Sequence, residues 1–223
     1  IFAYINPVCC IPLTAAKRHD IRCAGIVYGS EIHPVRVSDP RWLQTTIVQF
    51  DQFIAISQYT KNLLLRWGAL ESNVTIIHPG LSPDLISQFE PGYVVMQGNI
   101  RCDLTPTEKS LRLLTICRLV ERKGVQTVLR AVKRLRQEFP NLQYDIIGDG
   151  SYRRALEDLT TSLQLKDIVH FHGALPDAER NTLLAQCDIF VMVSFEAEDG
   201  DVEGFGIVYV EAGLFGKPVI ASR

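Results

Sequence analysis

From Leu111 onward, apolar and polar positions alternate between two periods. LRLLTIC (111–117) is a short continuous apolar run, the pattern of a buried strand. In GVQTVLRAVKRLRQEF (124–139), Val125, Val128, Leu129, Val132, Leu135 and Phe139 fall at helical spacing with Arg and Lys opposite, and Pro140 closes that helix. LQYDIIG (142–148) reads as the next strand, and GDGSYRRALEDLTTSLQL as a turn and an amphipathic helix. IVHFHG (168–173) is a third strand. PDAERNTLLAQC (176–187) is a helix whose early acids suit its dipole. DIFVMVS (188–194) is apolar throughout, as expected of a strand covered on both faces. A glycine-cornered helix over 204–216 and a strand KPVIAS (217–222) complete the series.

The first part of the chain is less regular. IRCAGIVYG (21–29), FDQFIAIS (50–57) and VTIIHPG (74–80) read as strands, and QYTKNLLLRWG (58–68) as a helix closing on Gly68. Residues 81–110 carry prolines and little periodicity, which predicts a connection between domains. Strands alternating with helices predict an α/β fold of parallel, doubly wound sheets. The expected division is an N-terminal domain over 1–80, a connection over 81–110 and a second domain over 111–223. Ligands bind such sheets beyond the carboxyl ends of the strands, here the loops after residues 117, 148, 173 and 194.

Composition narrows the classes. The chain has 223 residues, is 47% hydrophobic and carries a net charge of -2, enough for a sizeable core but without the basic excess of a nucleic-acid partner. No apolar run approaches the ~18 residues of a membrane span, and the opening IFAYINPVCCIP lacks the layout of a signal peptide. The six cysteines include no paired C-x2-C motifs, which argues against zinc and for reduced thiols in a cytoplasmic protein. Cys117 and Cys187 read as small core hydrophobes. The chain opens at Ile1 without an initiator Met and stops at Arg223 straight after a strand, so it reads as a fragment truncated at both ends.

Three stretches carry candidate chemistry. In CRLVERKG (117–124), Arg118 follows a strand and Lys123-Gly124 precede a helix, a combination suited to a diphosphate. It is not a P-loop. GDG (148–150) is a weaker signal of a tight turn, and without G-x-G-x-x-G it does not make a dinucleotide fingerprint. The third is EDGDVEGFGIVYVEAGLFGKPVIAS (198–222). Its loop holds Glu196, Glu198, Asp199, Asp201 and Glu203, conceivable metal ligands but equally a solvated acidic loop. Glu203 abuts Gly-Phe-Gly, where backbone can approach a ligand. Glu211 sits in an apolar helix where an unpaired charge is costly, so it needs a protein cation or a hydroxyl pair such as a ribose.

EGFGIVYVE matches the E-x7-E signature of the retaining GT-B glycosyltransferases of family 4, the group 1 glycosyltransferases. LLTICRLVERKGVQTVLRAV, YDIIGDGSYRRALEDL, VHFHGALPDAE, CDIFVMVS and GKPVIAS resemble that family in order and spacing, and GDVEGFGIVYVEA is similar to phosphatidylinositol mannosyltransferases. The resemblance covers about residues 50–223 well and 1–49 loosely. It implies a GT-B architecture of two Rossmann-like domains, both incomplete here. It also implies transfer of a hexose from a GDP- or UDP-sugar to a hydroxyl of a glycan or lipid-linked acceptor, without a required metal.

By the same resemblance Arg118 and Lys123 bind the donor diphosphate and Glu203 contacts the transferred sugar. The backbone of Gly204, Phe205, Gly206 and Ile207 lines phosphate and sugar. Glu211 takes the ribose hydroxyls, and Leu175 and Asp177 lie near the base, while the turn at Gly148, read from the residues alone, has a supporting part in donor binding. Members with lipid acceptors touch the cytoplasmic membrane face, although no clear basic amphipathic helix is visible here. Members place a His-Gly after an N-domain strand. The matching stretch here is IVYGSEI, so either Tyr28-Gly29 takes that place or the register shifts. His33 and His78 precede prolines and read as structural. The family's N-terminal glycine-rich loop and its closing region are not in this sequence, so the chain alone is expected to bind nucleotide without turnover. The alternative is a non-catalytic nucleotide-sugar-binding or assembly protein on the same scaffold.

Overall fold

A computed structural model describes residues 5, 10–87, 89, 110–198 and 200–222. In chain order the elements are α1 (Cys10–Arg18), β1 (Ala24–Val27), α2 (Pro40–Ile47), β2 (Gln52–Ala55), α3 (Gln58–Arg66), β3 (Val74–Ile76), α4 (Pro83–Ile86), β4 (Arg112–Ile116), α5 (Val125–Leu135), β5 (Gln143–Ile147), α6 (Arg153–Ser162), β6 (Val169–Gly173), α7 (Asp177–Gln186), β7 (Ile189–Met192), α8 (Ile207–Leu214) and β8 (Val219–Ala221). They form two compact units: Ile1–Gly80 with Glu196–Gly206, and Leu81–Phe195 with Ile207–Arg223. Most of the stretch 81–110, residue 88 and residues 90–109, lies outside the described residues, as do Asp199 and Arg223.

In the first unit β1, β2 and β3 pair in that order, all parallel. Val27, Phe53, Ala55, Leu43, Ile47, Leu64 and Trp67 form its core, and the buried Trp67 indole donates to Ile32 O at 2.6 Å. Asp39 caps α2 by accepting from Trp42 N, with Pro40 in the first turn, and Ser57 caps α3 by accepting from Thr60 N. Gly68 then takes the left-handed conformation beyond α3, at φ 97°.

The second unit has a parallel sheet in the order β6-β5-β4-β7-β8. The chain builds outward from β4 to β6, then crosses back to lay β7 and β8 on the other side. The direction of winding therefore reverses between β4 and β7, the switch point where such sheets open a crevice. Neighbouring residues point to opposite faces: Leu113 joins α5 and α6 in one core, while Leu114 joins α7 and α8 in the other. Thr115 is the polar exception at the sheet centre. Its hydroxyl meets Tyr144 Oη at 2.7 Å and donates to Val191 O, satisfying the buried oxygens of three strands. Burial pushes the Tyr144 phenol well above its ordinary value.

Two boundaries differ from those the periodicity predicts. Helix α5 stops at Leu135, before Pro140, and continues only as turns. Arg136 there bonds Gln164 O at 2.7 Å and Asp167 Oδ1 at 3.1 Å. Helix α8 begins at Ile207, so Glu211 is its fifth residue rather than two turns deep, and Gly204–Gly206 belong to the preceding loop. Helices α1, α2 and α4 have no counterpart in the sequence reading.

Candidate functional site

The turn after β4 is assembled largely from main chain. Cys117 N donates to Ile147 O at 3.0 Å, Leu119 N to Asp149 O at 2.9 Å, and Tyr152 N to Leu119 O at 2.9 Å, which ties it to the turn after β5. The approach is so close that a Cβ on Gly148 would fall 1.9 Å from Cys117 O, and one on Gly150 2.4 Å from Leu119 O. On the far side, a Cβ on Gly124 would fall 2.1 Å from Val193 O, and Phe195 N donates to Arg122 O at 2.8 Å. Residues 117–124 are thus gripped between the ends of β5 and β7, at the switch point.

Arg118 stands exposed at the start of this turn, and Lys123 half-buried at its end, directly before Gly124 and α5. Two cations thus stand beside a helix start, on a backbone held from both sides. Gly148 contributes room rather than a donor, because its own N–H is used by Gly173 O at 2.8 Å. Ser194 and Gln126 were not foreseen. Both are buried, and Ser194 Oγ and Gln126 Oε1 have no hydrogen-bond partner among the described residues.

A second group forms where α7 meets α8. Leu175 packs into the core beneath these helices, and Asp177 opens α7 with its side chain 86% exposed. Glu211 is 13% exposed, and its partner is a protein cation: Arg180 Nη2 lies 3.4 Å from Glu211 Oε1. The same nitrogen is 3.3 Å from Asn181 Oδ1 and 3.7 Å from Asp177 Oδ1. Tyr209 donates to Met192 O at 2.8 Å, fixing α8 to β7, and Ile207 is exposed at the helix start.

The remaining candidates belong to the first unit. The loop Glu196–Gly206 lies within that unit rather than with the residues on either side of it in sequence. His33 Nδ1 accepts from Val35 N at 3.4 Å, and its Nε2 lies 3.3 Å from Glu196 Oε1. Gly200 covers the same ring so closely that a Cβ would fall 2.0 Å from Nδ1. Arg36 is 3.6 Å from Asp201. Gly204 rests on the end of β1, where a Cβ would lie 2.5 Å from Tyr28 O. Phe205 stacks on His78 with ring centroids 5.2 Å apart, and His78 Nδ1 is 3.0 Å from Ile56 O. His33 and His78, structural on sequence grounds, therefore hold the loop that carries Glu203.

The structure gathers Arg118, Lys123 and Gly148 into one group, and Leu175, Asp177 and Glu211 into another with Arg180. Glu203, Gly204, Phe205 and Gly206 form a third, in the first unit. Among the described residues, no cluster of three His, Cys, Asp or Glu side chains could hold a metal ion, and no helix is long and apolar enough to cross a membrane.

Comparison with known proteins identifies the scaffold. Residues 80–223, well over half of the chain, match the family Glycosyl transferases group 1. The chain belongs to that family. It is 34% identical over 176 residues to the GDP-mannose-dependent monoacylated alpha-(1-6)-phosphatidylinositol monomannoside mannosyltransferase of Corynebacterium glutamicum, covering 78% of this chain and 45% of that protein. It is 28% identical over 175 residues to the amylovoran biosynthesis glycosyltransferase AmsK of Erwinia amylovora, covering 78% and 40%. The structure of Anabaena HepE in complex with UDP and glucose superposes with a TM-score of 0.67 at 23% identity, covering 95% of this chain and 55% of that one. The fold is accordingly that of the GT-B glycosyltransferases, in part. The group 1 chain spans about half the length of the curated relatives it matches.

Proposed function

We propose that this chain carries the donor site of a retaining hexosyltransferase that uses a nucleotide-diphosphate sugar. The observation that carries the reading is the turn 117–124, which fixes Arg118 and Lys123 at the switch point between β4 and β7. The two cations take the diphosphate, Glu211 takes the ribose hydroxyls, and Leu175 and Asp177 flank the base. Glu203 contacts the transferred sugar, and the backbone of Gly204–Ile207 lines it and the phosphate. The GDP-mannose-dependent name of the Corynebacterium relative supports mannose as the sugar, and the UDP and glucose held by HepE support a UDP-hexose as the alternative donor. The acceptor is a hydroxyl of a glycan or lipid-linked precursor, in keeping with the names of both curated relatives.

The chemistry is a front-face displacement. The bond from the anomeric carbon to the diphosphate oxygen breaks, and its electron pair leaves with the diphosphate. The acceptor oxygen bonds the anomeric carbon on the same face, and its proton passes to the departing diphosphate. Charge develops on that leaving group while the sugar becomes oxocarbenium-like. Arg118 and Lys123, carried on a turn whose main chain is held from both sides, stabilise the developing charge.

Turnover of GDP-mannose and UDP-glucose by the protein at its full natural length tests this. Replacing Arg118 or Lys123 with Ala is expected to lower kcat by roughly 100-fold or more. Near-normal turnover in the double variant would refute the assignment.

A further inference from the structure

We propose that Arg180 is the positioning residue of Glu211, holding that carboxylate in place and aimed for a vicinal diol. The inference rests on the ribose reading of Glu211 and adds a residue that reading does not contain. Glu211 is the only charged residue of the helix Ile207–Leu214, whose one other polar group, the Tyr209 hydroxyl, is taken by Met192 O, and its side chain is 13% exposed. A charge so far removed from water is costly without an opposite charge beside it. Arg180 supplies that charge from α7, at 3.4 Å and through a single nitrogen on Oε1.

That mode of contact matters. A bidentate guanidinium would engage both carboxylate oxygens, whereas one nitrogen on Oε1 leaves Oε2 and a second lone pair on Oε1 to accept hydroxyls. Arg180 is itself held lightly. Nη2 is shared with Asn181 Oδ1 and lies 3.7 Å from the exposed Asp177 carboxylate, and Nε is buried without a partner among the described residues. A pair serving stability alone would be expected to saturate the fork of donors; this one leaves Glu211 anchored but incompletely engaged. The pair with Asp177 is too exposed to be the reason for Arg180.

The test compares UDP and GDP with their 2′,3′-dideoxy counterparts by calorimetric titration of the protein at its full natural length. Wild type, R180M, R180K and E211A are measured, each with a thermal melt. The ratio of ribo to dideoxy affinity cancels any loss of folded fraction, because both ligands meet the same sample. The expected result is a ribo preference in wild type that falls roughly tenfold in R180M and returns in part in R180K, with dideoxy affinity unchanged. A preference lost in E211A but kept in R180M overturns the positioning role alone. A preference unchanged in E211A, or no nucleotide binding at all, overturns the ribose reading and this proposal with it. Equal loss of both ligands in R180M leaves Arg180 a purely structural residue and also overturns it.

Discussion

The turn after β4 and the loop after β7 both carry candidate donor contacts, yet they are held by different means. Residues 117–124 are fixed by backbone hydrogen bonds and by glycines whose missing Cβ atoms let carbonyls approach to distances no side chain would allow. Residues 196–206 have one such approach, Gly204 on Tyr28 O, and are otherwise held by side chains: His33 on Glu196, Arg36 near Asp201, and His78 stacked on Phe205. A main-chain cradle has almost no alternative arrangement, which suits the diphosphate role proposed for it. A side-chain clasp can release and re-form, and loops held that way populate the less stable end of a protein's local free energies.

The largest effect should come from forcing a Cβ into each region. In G148A the methyl meets the fixed carbonyl of Cys117, at a residue with φ 129°. We expect a loss of about 3 kcal/mol or more, up to failure of the second unit to fold. In G200A, at φ 76°, the methyl meets the buried His33 ring, a side chain rather than a main-chain carbonyl, and the expected loss is smaller, about 2 kcal/mol. Chemical denaturation of both variants measures the difference. Equal costs would erase the distinction between cradle and clasp.

A smaller effect separates the units by pH. In the first unit Asp51 accepts from Cys23 N at 2.7 Å and pairs with Lys17 at 2.9 Å, joining α1 to the strand region. The hydrogen bond from Cys23, and then Lys17, hold its carboxyl below the ordinary value of 3.8. A depressed carboxylate stabilises the fold fully above the unfolded value, and that stability is lost as pH falls through the folded one. The thermal midpoint of D51N should therefore lie slightly below wild type near neutral pH, with the gap closing as the solution is acidified below 3.8. A gap that persisted unchanged into acid would show that the carboxylate's charge is not what matters.

How much of this was legible in the sequence follows from the range of each interaction. The strands of the second unit stood out because continuous apolar runs are local signals, and so did α5 and α6, with one polar face each. Helix α2 was overlooked although Asp39-Pro40 is a readable start, because only eight residues follow and their apolar stripe is short. Arg118 and Lys123 were legible from their place between a strand and a helix. Glu211 was legible as a charge in need of a partner, but Arg180 was not, since it stands 31 residues away on another helix. The attachment of Glu196–Gly206 to the first unit was invisible for the same reason. It depends on His33, Arg36 and His78, more than a hundred residues earlier, and leaves no period in the local sequence.

The central claim, that the main-chain cradle after β4 is a diphosphate site, is tested most directly by calorimetric titration of the protein at its full natural length. GDP and UDP would each be compared with the parent nucleoside, for wild type and the R118A/K123A double variant. One diphosphate is expected to bind more tightly than its nucleoside, and the double variant to lose this difference while keeping its affinity for the nucleoside. A double variant that holds the diphosphate as tightly as wild type would contradict it.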